Sequence, residues 1–144
     1  MQRRLFLGSM LGVAAAGTPL SRALAALANA PLAGDLPATR LGGGETVLTR
    51  AAVKDFQASL RGPVLMAGQD GYDHARKVWN GMIDRRPALI ARCSAAADVA
   101  RSVQFATAND LLVAVRSGGH STSGQSVCDG GLMLDLSLMR GVSV

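Results

Sequence analysis

The sequence predicts an α+β fold built on a strand–helix–strand unit, incomplete as it stands. Two short apolar runs, Ala88 to Arg92 and Leu111 to Val115, bracket a stretch with helical spacing. A third run, "GLMLDL" (131–136), follows a glycine-rich loop. Parallel strands buried on both faces need covering layers, yet the 144 residues supply only a few strands, three short helices and no second core. The last segment, "GVSV", starts another strand with no partner in sequence, so the chain is expected to be the front piece of a larger protein.

Taken in order, the chain opens with an address rather than a fold. "MQRRLFLGSMLGVAAAG" has a basic start and an apolar middle, and the small-residue steps of "SRALAALANA" end it. Arg3-Arg4 followed by Leu5-Phe6-Leu7 resembles a twin-arginine export signal. Cleavage is expected after Ala26-Leu27-Ala28, which makes residues 1–28 a signal peptide and the product periplasmic or secreted, with the twin-arginine translocase as its partner in transit. Gly17, Pro19 and Arg22 interrupt the apolar run, which is short for a membrane span.

Residues 29–69 read as a linker and a short helix. Two prolines and four glycines in 31–46 predict little structure there. Val53, Phe56 and Leu60 have helical spacing, which predicts a helix over 51–60, stopped by Gly62-Pro63. The domain proper is expected over 70–144. "GYDHARKVWNGM" suggests a helix over 72–80 ended by Gly81, with His74 on its surface and Trp79 in the core. In the central helix Ser94 is the expected N-cap and Asp98 sits in the first turn, where negative charge is favoured. Val99, Val103 and Ala106 mark its expected buried face, and Asn109 closes it.

Composition narrows the function classes. The formal charge is +5, but three of the 15 basic residues lie in the first 28 positions, and the rest are interspersed with acids, with no basic run. Nucleic-acid binding is not expected. Gly124-Gln125-Ser126-Val127-Cys128 nearly spells a hydrolase elbow, but Cys128 replaces the final glycine and the flanking glycines deny it a strand and a helix. No glycine precedes a Lys-Ser or Lys-Thr pair, so there is no P-loop. Cys93 and Cys128 lack zinc spacing, and no metal site is expected. The two cysteines read as small buried residues, with a disulfide the less favoured option.

The chemically informative stretch is "VRSGGHSTSG", Val115 to Gly124. It leaves the C-terminal end of a strand, where open α/β folds place ligands. Successive amides around Gly118 and Gly119 are suited to phosphate oxygens, Ser117, Ser121 and Thr122 add hydroxyls, and Arg116 adds a cation. Residue types leave two readings of His120 open: a ligand-site group, or a loop histidine that satisfies local hydrogen bonds. No G-x-G-x-x-G fingerprint is present.

The segment "RRPALIARC…ADVARSVQFATANDLLVAVRSGGHSTSGQSVCDGGLMLDLS" resembles the FAD-binding domain of the vanillyl-alcohol oxidase and p-cresol methylhydroxylase (PCMH) family, and within it the berberine-bridge-enzyme-like oxidases. The resemblance covers about 70–144 and implies the N-terminal part of a PCMH-type domain. It implies that Arg116, Ser117, Gly118, Gly119 and Ser121 line the FAD pyrophosphate, that Gly124 allows close approach, and that His120 is the covalent ligand of the flavin 8α-methyl. It also implies a small-molecule substrate, an alcohol, sugar or similar carbon centre, oxidised by hydride transfer to FAD with O₂ as reoxidant. Cys128 is too close to His120 to be the second flavin link of some members, and no catalytic residue is expected in this chain. Two alternatives remain: a truncated, non-catalytic product, and a non-covalent flavin reductase of the same architecture.

Overall fold

The computed structural model describes residues 34–141; the expected signal peptide and most of "GVSV" lie outside them. In chain order the elements are β1 (Leu36–Thr39), β2 (Glu45–Leu48), α1 (Arg50–Ser59), β3 (Val64–Leu65), α2 (Tyr72–Ala75), β4 (Leu89–Arg92), α3 (Ala96–Ala108), β5 (Val113–Arg116) and β6 (Leu132–Asp135).

The fold is α+β, as expected, and β4–α3–β5 is the expected strand–helix–strand unit. The main sheet runs β3-β4-β6-β5. Both β4 and β5 pair parallel with β6, so β6 lies between the two strands that α3 connects. Side chains alternate across this sheet. Leu89, Ala91, Leu132 and Leu134 face one buried cluster with α1 and α3; Ile90, Met133 and Ala114 face a second with Tyr72 and Val127. Cys93 belongs to the first cluster and Cys128 to the second, and both are buried free thiols. The less favoured disulfide is therefore not formed.

The stretch expected to be a linker is partly a hairpin. β1 and β2 pair antiparallel, and Gly43 and Gly44 turn the chain with φ of 87° and 85°. Inward Ala38 and Leu48 are buried, and the hairpin is tied to the sheet by Leu112 N–H donating to Thr39 O at 2.9 Å and Thr39 N–H to Gly130 O at 2.8 Å. Four-residue strands stabilised by docking leave little local signal.

Helix α1 forms one residue earlier than expected because Thr49 caps it, its Oγ1 accepting from Ala52 N–H at 3.2 Å. Val53 and Phe56 are buried, and Phe56 stacks on Phe105 of α3 at a centroid distance of 4.1 Å. The two-residue β3 beyond Gly62-Pro63 was not expected; it pairs antiparallel with β4.

Two helix expectations need correction. Helix α2 spans one turn rather than 72–80. Its guanidinium-bearing neighbour Arg76 is drawn to Asp73 and Asp84, and the chain beyond gives up helical bonds for contacts to the 119–122 loop. Trp79 is thereby 72% exposed instead of buried, Tyr72 being the aromatic of that cluster, while His74 is exposed as expected. In α3 the N-cap is Ala95, not Ser94, and the buried face is Asp98, Ser102 and Ala106, with Val99 half-buried and Val103 exposed. A buried carboxylate displaced the apolar phase by about one residue. Asp98 accepts from Arg61 N–H (3.0 Å), Gly62 N–H (3.2 Å), Ser94 N–H (2.9 Å) and Ser94 Oγ (3.0 Å), closing the helix start and the turn before β3 together. Asn109 ends the helix as expected.

Candidate functional site

The site begins where the three parallel strands end. Arg92 of β4, Asp135 of β6 and Arg116 of β5 are register partners across the sheet. They share the face of Ile90, Met133 and Ala114, because residues two apart point the same way. Asp135 is fully buried; Arg92 Nε donates to Oδ2 at 3.1 Å, Arg116 Nη1 to Oδ1 at 3.1 Å and Ser137 N–H to Oδ1 at 3.0 Å. Burial pushes the Asp135 carboxyl up, but hydrogen bonds from Ser137 and Arg92 and the charge of Arg116 outweigh it and hold the group below its ordinary value. Two guanidiniums on one carboxylate leave a net positive charge at this end of the sheet.

The loop expected to hold phosphate leaves Arg116 directly. Gly119 is buried, with φ of 72°, and a β-carbon on it would stand 3.2 Å from Arg116 Nε. That Nε is itself buried and, among the described residues, donates to no partner. Ser117, Gly118 and His120 are exposed. The His120 ring folds back over Gly118, where a β-carbon would meet Cδ2 at 2.7 Å and Nε2 at 3.1 Å. Among the described residues, the backbone amides of Gly118, Gly119 and His120 donate to no protein acceptor.

The remaining expected residues serve the loop itself. Ser121 Oγ accepts from Gln125 N–H at 3.1 Å, and Ser121 O from Gly124 N–H at 3.2 Å, which closes a turn. Gly124 has φ of 72° and its α-carbon abuts Ile83, 2.7 Å from where a β-carbon would stand. The glycine is required there by conformation and by packing against protein.

Sequence reasoning missed the second wall. Trp79 N–H donates to Gly119 O at 2.9 Å, Asn80 Nδ2 to Thr122 O at 2.8 Å, and Arg85 Nη1 to Gly124 O at 3.1 Å and Val127 O at 3.0 Å. The available signal was Asn80-Gly81, a turn dipeptide at the end of the expected helix.

Comparison with known proteins bears directly on this loop. Residues 87–144 match a family described as "FAD binding domain". (R)-6-hydroxynicotine oxidase of Paenarthrobacter nicotinovorans is 44% identical over 86 residues, 60% of this chain and 19% of the relative. Residues 87–144 are thus similar to part of an FAD-binding domain, and the α+β fold matches part of solved oxidase structures.

The crystal structure of 6-hydroxy-D-nicotine oxidase from Arthrobacter nicotinovorans matches with a TM-score of 0.57 at 44% identity, over 60% of this chain and 19% of that one. The berberine-bridge-enzyme-like protein 1 of Physcomitrella patens matches with a TM-score of 0.55 at 25% identity, again over 60% and 19%. The chain spans about a fifth of the length of the curated relatives it matches. The Arg116–Gly124 loop lies within the matched residues 87–144. The residues fit a bound diphosphate: free amides above a cationic strand end, and an unpartnered Nε beneath them.

Proposed function

We propose that this chain supplies the pyrophosphate wall and the flavin attachment point of an exported FAD-dependent oxidoreductase acting on an alcohol, sugar or similar carbon centre. The observation that carries the reading is the Gly118–His120 segment, whose amides have no protein acceptor among the described residues while the neighbouring imidazole is exposed. Arg116 contributes positive charge, Ser117 and the loop amides bind phosphate oxygens, and His120 attaches to the 8α-methyl of the flavin. FAD, when bound, accepts the hydride that leaves the substrate, and O₂ reoxidises it. The His120–flavin bond would replace the imidazole N–H and one C–H of the methyl, with both protons released and the two electrons passing to the flavin, which O₂ would reoxidise; attachment would prevent loss of the cofactor. Ser121 and Gly124 act by shaping the loop. Export rests on Arg3-Arg4 and Ala26-Leu27-Ala28.

The test is acid precipitation of the protein after expression with FAD, followed by flavin fluorescence of the pellet. Flavin is expected to stay with the wild-type pellet and to appear in the supernatant of His120→Ala. A flavin-bearing His120→Ala pellet overturns the covalent role. Replacing Arg3 and Arg4 by lysine is expected to retain the protein in the cytoplasm; unchanged export overturns the twin-arginine route.

A further inference from the structure

We propose that Asp135 is a positioning residue for the flavin-phosphate loop, acting through Arg116 on Gly119. The inference deepens the proposed function and rests on its reading of the loop as the FAD site. Asp135 is the middle member of a row that crosses three strands, and it is fully buried, so its two oxygens are committed to Arg92, Arg116 and Ser137. Fixing Nη1 of Arg116 fixes the plane of the whole guanidinium. That plane lies under Gly119, with Nε 3.2 Å from the site of a β-carbon, and so sets the height of the loop backbone. The carbonyl of the same residue accepts from Trp79 N–H at 2.9 Å. Gly119 is thus held both by contact with a guanidinium oriented by Asp135 and by a hydrogen bond from a backbone amide. The amides on either side of it are those without protein acceptors. Loss of the carboxylate charge would leave Arg92 and Arg116 as neighbouring like charges, and Arg116 would turn away from the strand end.

The arrangement makes the Trp79 amide a reporter that needs no flavin. Its exchange with deuterium can be followed by NMR in the flavin-free chain. In Asp135→Asn its protection is expected to fall about tenfold, the loss of roughly one charge-assisted hydrogen bond, while amides within α1 and α3 keep theirs. FAD uptake is expected to fall in parallel. Arg116→Lys leaves the buried carboxylate compensated and is expected to give the same selective loss; it decides the matter if Asp135→Asn does not fold. Unchanged Trp79 protection in the folded variant overturns the positioning role. A wild-type chain with a protected Trp79 amide that never takes up FAD overturns the flavin reading and leaves the clamp standing.

Discussion

Arg116 and Gly119 occupy one another's space: the guanidinium of the strand's last residue fills the volume that a side chain three positions later would need. Gly119 also has φ of 72°, a conformation that costs an L-residue about 1–2 kcal/mol. Gly119→Ala is therefore expected to lower stability by about that amount in denaturant titrations and to reduce FAD uptake, because the only relief is to move Arg116 or lift the loop.

Gly118 differs, because its obstacle is the mobile end of a side chain. An added methyl would displace the His120 ring, whose Cδ2 would be only 2.7 Å away. Gly118→Ala is expected to change stability by less than about 0.5 kcal/mol. It is expected to lower the fraction of flavin that survives acid precipitation. Equal loss of free and attached flavin would show that the ring position is irrelevant to attachment.

Asp98 makes acid stability predictable. Burial pushes its carboxyl up, but the amides of Arg61 and Ser94, the Ser94 hydroxyl and the Gly62 amide outweigh it and hold the group at about 2. A group depressed in the folded state stabilises above its unfolded value and loses that support as the pH falls through the folded one. Stability is expected to decline between about pH 4 and pH 2. Asp98→Ala, which strands four buried or half-buried donors, is expected to cost about 3 kcal/mol at neutral pH and to flatten that decline, as measured by urea unfolding at each pH.

Cys93 and Cys128 lie on opposite faces of the main sheet, and burial pushes the Cys128 thiol up to about 11 and raises that of Cys93. Neither is expected to react with an aromatic disulfide reagent at pH 8 while the chain is folded, and both should react in denaturant. Rapid modification of the folded protein would contradict the packing.

The parallel strands were legible because each is a short apolar run with a polar end. The α3 boundaries were legible from Ser94, Asp98 and Asn109, although Ala95 became the cap and Ser94 donates to Asp98 instead of accepting from the first turn. Val103 misled because periodicity ranks side chains by polarity. Asp98 and Ser102 instead earn burial through partners contributed by other segments, the amides of Arg61 and Gly62 and the Cys93 thiol. The β1–β2 hairpin was hidden by its glycines and proline, which signal turns equally well in linkers and hairpins.

The sequence by itself determined the strand–helix–strand unit and the Val115–Gly124 loop with its two adjacent glycines, because these depend on local conformational preference and on residues adjacent in the chain. Only the tertiary structure decided that Arg92, Asp135 and Arg116 form one row and that Trp79 and Asn80 grip the loop. It also decided that Gly124 abuts Ile83. Those relationships join residues up to 43 positions apart, and strand register and burial of charge are settled only when separated segments pack against each other.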